Sequence, residues 1–214
     1  MQTNQLQNFF PDPNQLRKVA EDLAKQDAVM QISQRWDLPI ELAMDMNALA
    51  LYDIVFLLDD SGSMAGKRQR ELERLLADVA YAGSLFDQNG FSVRFLNARS
   101  SGRDNIRNSK EAEELVKNTR VNGRTPLRER FEDLLQEFVY EPRSRGTLRK
   151  PIQFIIITDG EPTDNSDNGF QRALRQLYEV FNPGMGAGRD PSRRSNKCPP
   201  PLPPPLRRPT NPPA

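Results

Sequence analysis

The chain has 214 residues, a formal net charge of +1, no histidine and one cysteine. That length admits one domain with a real core. The missing histidines exclude Ser-His-Asp and Cys-His nucleophilic sites and, with a single cysteine, the usual zinc sites.

Residues 1–13 are polar and end in Phe9-Phe10-Pro11-Asp12-Pro13, which reads as a disordered or loosely docked arm. It has no basic start and no apolar core, so no secretory signal is read there. No apolar run in the chain approaches the ~20 residues that cross a bilayer. Cys198 alone forms no intrachain disulfide, which suits a reducing compartment. The expectation is an intracellular, cytoplasmic protein without membrane contact. Residues 14–50 read as a helical extension. Leu16, Val19, Leu23 and Met30 form an apolar stripe, and Pro39 suits a second helix start. Packing against the body is the expected use of that stripe.

Residues 51–182 alternate strand and helix patterns. Tyr52 to Leu58 reads as a strand buried on both faces, from the apolar run Ile54 to Leu58. Lys67 to Asp87 is a helix with Leu72, Leu75, Leu76, Val79, Gly83 and Phe86 at helical spacing. Its charged residues, Arg68, Arg70, Glu71, Glu73 and Arg74, read as a solvated face. Phe91 to Leu96 is a strand after the Asn89-Gly90 turn. Arg99 to Asn108 leaves room for a short edge strand, and Ser109 to Lys117 reads as a helix. Pro126 to Tyr140 is a helix with Leu127, Phe131, Leu134, Leu135 and Phe138 facing a core. Ile152 to Thr158 is a strand and Phe170 to Phe181 a last helix.

Residues 183–214 contain no Val, Ile, Phe, Tyr or Trp, and carry six basic residues against Asp190 alone. This Pro/Arg-rich tail reads as disordered. Its charge is +5, leaving −4 for the remainder, which argues against nucleic acid as the partner of the folded part. Pro200-Pro201-Leu202-Pro203 matches a WW-domain ligand, and Pro201-Leu202-Pro203-Pro204 has SH3-ligand spacing. Such short matches are weak signals.

Chemistry concentrates where apolar strands end. Asp59, Asp60, Ser61 and Ser63 follow the first strand directly, and Asp159 follows the apolar residues Phe154 to Ile157 and then Thr158. Thr125 stands in a glycine loop that opens a helix. In an open parallel sheet, ligands bind beyond the carboxyl ends of the strands. Hydroxyl and carboxylate oxygens suit a hard dication, Mg²⁺ or Mn²⁺. Each residue also has a plain structural reading. Ser61 or Ser63 suits a helix N-cap, Thr125-Pro126 a capped helix start, and Asp159-Gly160 a turn. Asp60 reads first as a solvated charge and second as a carboxylate that raises local negative potential and metal affinity.

Together these residues resemble the von Willebrand factor A (vWA) domain and its metal-ion-dependent adhesion site. The family pattern is Asp-x-Ser-x-Ser, then a Thr in a Gly-rich loop, then an Asp in a strand-Thr-Asp-Gly turn. The matching positions are Asp59, Ser61, Ser63, Thr125 and Asp159. The resemblance implies an α/β, Rossmann-like fold, with a mostly parallel sheet and helices on both faces. It implies that Ser61, Ser63 and Thr125 ligate the metal directly, Thr125 in the ligand-competent state. Asp59 and Asp159 then act largely through water, and a carboxylate from a partner protein takes the open position. Intracellular family members of this size occur in fungi.

The family sheet has six strands in the order 3-2-1-4-5-6. Here the last two have no sequence to form them, so the expected chain is a C-terminally truncated or alternatively spliced product, or one whose tail is not the natural reading frame, with a partner chain completing the sheet as the lesser alternative. A binding module rather than an enzyme is expected, since nothing activates a nucleophile. One alternative is a Mg²⁺-dependent phosphohydrolase. It suffers because Ser61 stands where the second aspartate of the haloacid dehalogenase pattern belongs, and Asp60 is adjacent instead. The other is a non-functional fragment.

Overall fold

A computed structural model describes residues 9–25, 27–86, 89–164 and 173–174. The chain divides at residue 170 into two units. Within the second, only residues 173 and 174 are described, so the proline motifs and most of the helix expected over Phe170 to Phe181 lie outside the described residues.

A four-stranded sheet organises the first unit, in the order β3-β2-β1-β4. Its strands are β1 (Asp53–Leu58), β2 (Phe91–Phe95), β3 (Arg103–Ile106) and β4 (Ile152–Ile157). β1 runs parallel to β2 with Leu58 opposite Phe95, and parallel to β4 with Leu58 opposite Ile157. β3 is the short edge strand that the sequence left room for, antiparallel to β2 with a register shift between Phe91 and Val93. The described sheet is therefore mostly parallel, in the strand order of the first four positions of the expected fold.

The apolar run of β1 serves two layers because successive side chains point to opposite faces. Ile54, Phe56 and Leu58 pack with Leu72, Leu76 and Ala80 of α4 (Lys67–Phe86) and with Ala112, Leu115 and Val116 of α5 (Ser109–Asn118). Leu57 packs on the other face with Leu127 and Leu134 of α6 (Leu127–Leu135) and with Leu96. β4 divides likewise, Ile155 and Ile157 towards the first layer and Phe154 and Ile156 towards the second. Phe131 meets the Phe154 ring edge-on at 5.4 Å. Helices on both faces explain why β1 lacks a polar alternation.

Three departures from the sequence reading are informative. α6 leads into a π-helical turn, Gln136–Tyr140, and then α7 (Glu141–Ser144), so the helical segment continues past Tyr140. Leu75 of α4 is 46% exposed although it has helical spacing; only part of so wide a stripe reaches the sheet. The extension forms α1 (Pro13–Lys25), α2 (Ala28–Trp36), α3 (Ile40–Asp45) and a 3₁₀ turn, Met46–Leu51. Its buried residues Ala28, Ile32 and Ala43 pack with Ala82 and Phe86 of α4 rather than on the sheet, and Ala50 of the 3₁₀ turn is buried as well. Leu16 and Met30 of the expected stripe are exposed. The chain turns at Asp27 and Asp37, both in left-handed conformation, so no single stripe runs through Leu16 and Met30.

Candidate metal centre

The carboxyl ends of β1 and β4 lie side by side, and their ladder continues one step further. The Asp59 amide donates to the Ile157 carbonyl at 2.9 Å. Asp59 and Asp159 therefore leave the same rim of the sheet. Asp59 is fully buried. Its Oδ1 accepts the Ser61 amide at 2.8 Å, and its Oδ2 accepts the Thr158 hydroxyl at 2.6 Å. The hydroxyls of Ser61 and Ser63 are 3.0 Å apart, and Ser63 donates to Asp159 Oδ1 at 2.9 Å. Asp59, Ser61, Ser63 and Asp159 are thus joined in one hydrogen-bonded chain spanning two loops.

The plain capping readings of the hydroxyls do not hold. Ser61 precedes a short 3₁₀ turn, Gly62–Met64, but makes no side-chain cap bond to it. α4 begins only at Lys67, beyond both serines. At α6, Pro126 stands before the first residue without a side-chain cap. The Asp164 carboxylate takes that role from another loop, accepting the amides of Arg128 at 3.2 Å and Glu129 at 2.9 Å. Thr125 is buried. Its carbonyl accepts the amides of Leu127 and Thr163, each at 2.9 Å, and its hydroxyl is not a member of the chain joining the other four residues.

The loop carrying Thr125 is nevertheless held against the serine loop. The Gly62 amide donates to the Gly123 carbonyl at 3.2 Å, and the Asn122 amide to the Asp60 carbonyl at 2.8 Å. Asp60 organises this corner, which corrects its reading as a solvated charge. It is 2% exposed. Its carboxylate accepts the amides of Asn97 at 2.8 Å and Ala98 at 2.7 Å, and the Asn97 side chain at 3.1 Å. The same Asn97 amide group donates to the Arg124 carbonyl at 2.9 Å. Gly123 has φ +98°, and a Cβ there would stand 2.6 Å from Asn97 Oδ1, so glycine is required by both conformation and space. Behind this corner, Arg130 of α6 donates to the Phe95 carbonyl at 2.9 Å. Burial, followed by the neighbouring charge of Arg99, lowers the Arg130 pKa, with Asp133 opposing.

The sequence reading missed the roles of Asp60, Thr158 and Arg68. Asp60 carried one signal, a second carboxylate placed where backbone amides gather at a parallel-sheet rim. Thr158 was visible only as part of the strand end. Arg68, counted with a solvated face, pairs with Asp159 Oδ2 and donates to the Ser63 carbonyl at 3.1 Å. No local pattern announces that contact, since its partners are brought together by the fold.

The donor set fits a hard dication. All five expected side chains offer oxygen, as Mg²⁺ and Mn²⁺ prefer. Adjacent oxygens of an octahedron with metal–oxygen distances near 2.1 Å lie about 3 Å apart, and the Ser61–Ser63 and Ser63–Asp159 oxygen separations are 3.0 and 2.9 Å. The set is lean in charge. Among the described residues no group of three or more carboxylate, imidazole or thiol side chains is placed to hold a metal, so Asp59 and Asp159 would be its only anionic members. No helix among the described residues is long and apolar enough to cross a membrane.

A comparison with curated proteins returned no match. The family model for the von Willebrand factor type A domain matches residues 53–196, about two-thirds of the chain and past the expected boundary at residue 182. With its mostly parallel sheet flanked by helices, the chain belongs to the von Willebrand factor type A domain family, whose domains generally mediate protein–protein interactions.

Proposed function

We propose that this chain is a divalent-metal-dependent protein-binding module. Asp59, Ser61, Ser63, Thr125 and Asp159 would hold Mg²⁺ or Mn²⁺, and an acidic residue of a partner protein would complete the site. The observation that carries this reading is the hydrogen-bonded chain from Asp59 through both serines to Asp159, in which the Ser61–Ser63 and Ser63–Asp159 oxygen separations suit neighbouring ligands. When bound, the dication supplies a Lewis-acidic attachment point for the partner's carboxylate.

The chain's own residues do the rest. Asp59 fixes the Ser61 turn by accepting its amide. Asp60 and Asn97 hold the Thr125 loop within reach of the serine loop. Ser63, which is exposed, presents its hydroxyl towards solvent and Asp159. In this reading no bond is made or broken. The phosphohydrolase alternative needs an aspartate where Ser61 stands, and the adjacent Asp60 has both carboxylate oxygens engaged by backbone amides.

Surface plasmon resonance against an immobilised oligo-glutamate peptide tests the proposal. Binding is expected in Mg²⁺, abolished by EDTA, and lost in Thr125→Ala with the fold intact by circular dichroism. Equal binding in EDTA, or unchanged binding by Thr125→Ala in Mg²⁺, would overturn it.

A further inference from the structure

Arg68 stands in the first turn of α4, where the helix dipole disfavours cations, and that turn contains no acidic residue. Its neighbour Lys67 reaches along the helix to Glu71 at 3.4 Å, an ordinary pair one turn away. Arg68 turns to the sheet rim instead. Its guanidinium pairs with Asp159 Oδ2, while Ser63 donates to Oδ1 of the same carboxylate at 2.9 Å. The same Arg68 nitrogen donates to the Ser63 carbonyl at 3.1 Å. One protein cation thus bridges the serine loop to the β4 loop at one of the two carboxylates of the candidate centre. The Arg68 side chain is 55% exposed and that of Asp159 only 14%, so the arginine has room to leave while the carboxylate stays in place.

We propose that Arg68 is a built-in counter-cation of the rim. It neutralises Asp159 and clips the two loops together when no dication is bound, and it competes with a dication for that carboxylate. This inference rests on the metal-binding reading above. The competition is electrostatic. With Arg68 in place, an incoming dication meets a positive charge within one side chain's breadth and a carboxylate already paired. Moving Arg68 into solvent relieves both. Because the arginine half of the pair is open to solvent, moving it away costs little. The arrangement makes the centre discriminate against weakly charged ions, since a monovalent cation gains little by displacing a guanidinium.

The test is a calorimetric Mn²⁺ titration of the full chain as wild type, Arg68→Gln and Arg68→Lys, with melting temperatures recorded in EDTA and at Mn²⁺ saturation. Arg68→Gln is expected to bind Mn²⁺ about three- to tenfold more tightly than wild type. Its metal-free form should melt about 1–3 °C lower, with the gap closing at saturation. Arg68→Lys, which keeps the charge but loses the planar fork, should fall between the two. If wild type binds and Arg68→Gln binds equally or more weakly, the counter-cation role is wrong and the metal reading survives. Should Arg68→Gln fail to fold, wild-type affinity in a folded Arg68→Ala would equally overturn the role. If neither folded protein takes up Mn²⁺, the metal reading falls and this inference with it. Uptake by Arg68→Gln alone would support both.

Discussion

β1 and β4 carry the same pattern in different places. Each is an apolar strand followed by an aspartate at the same rim, in register from Asp53 opposite Ile152 to Leu58 opposite Ile157. β1 has strands on both sides and buries every residue from Ile54 to Leu58. β4 ends the described sheet, and its side chains are only partly covered. The aspartates follow suit. Asp59 is buried, with its oxygens engaged by the Ser61 amide and the Thr158 hydroxyl. Asp159 is held by Ser63 and by the exposed Arg68, contacts that a dication would exchange on the proposal above. The same motif, an apolar strand ending in a carboxylate, gives an enclosed element within the described sheet and a more open one at its edge.

The most severe test of this contrast is in the core. Leu57→Ala should cost about 2–5 kcal/mol in urea unfolding, since Leu57 is wholly buried. Ile156→Ala, at the matching position of β4, should cost clearly less. Equal losses would show that β4 is as enclosed as β1.

Asp60→Ala comes next, with an expected loss of about 2–4 kcal/mol, because the amides of Asn97 and Ala98 would lose their acceptor. A solvated charge would cost under about 0.5 kcal/mol to remove. Gly123→Ala should cost about 1–3 kcal/mol from its positive φ and the close approach of Asn97. It should also weaken the peptide binding that depends on Thr125. The smallest effect belongs to the exchangeable carboxylate. Asp159→Asn should change metal-free stability by no more than about 1 kcal/mol, whereas Asp59→Asn, at a buried carboxylate with two partners, should cost about 1–3 kcal/mol. A reversal of that order would undo the contrast between the two aspartates.

The layers around β1 were legible because its apolar run has no polar face, and helical spacing marked α4, α5 and α6 before any contact was known. Leu75, Leu16 and Met30 show where that logic stops. Periodicity identifies an apolar side but says nothing of how much of it meets a neighbour. At the rim, Asp59, Ser61, Ser63 and Asp159 were readable from spacing at strand ends. Asp60 and Arg68 were misread as solvated because their partners, Asn97 with Ala98 and Asp159, lie far off in sequence. Asp164 was overlooked as the cap of α6 for the same reason. Local propensity favoured Thr125 and Pro126 as that helix start, but tertiary structure supplied a carboxylate from another loop.

The proposed centre meets its most direct test in Mn²⁺ electron paramagnetic resonance, which reads free ion by its six-line signal. Titrating Mn²⁺ into the folded full chain should suppress that signal up to one equivalent. Ser63→Ala, folded by circular dichroism, should restore most of it. A free-ion signal that rises in step with added Mn²⁺ in the folded wild-type chain would contradict the claim that these rim oxygens hold a dication.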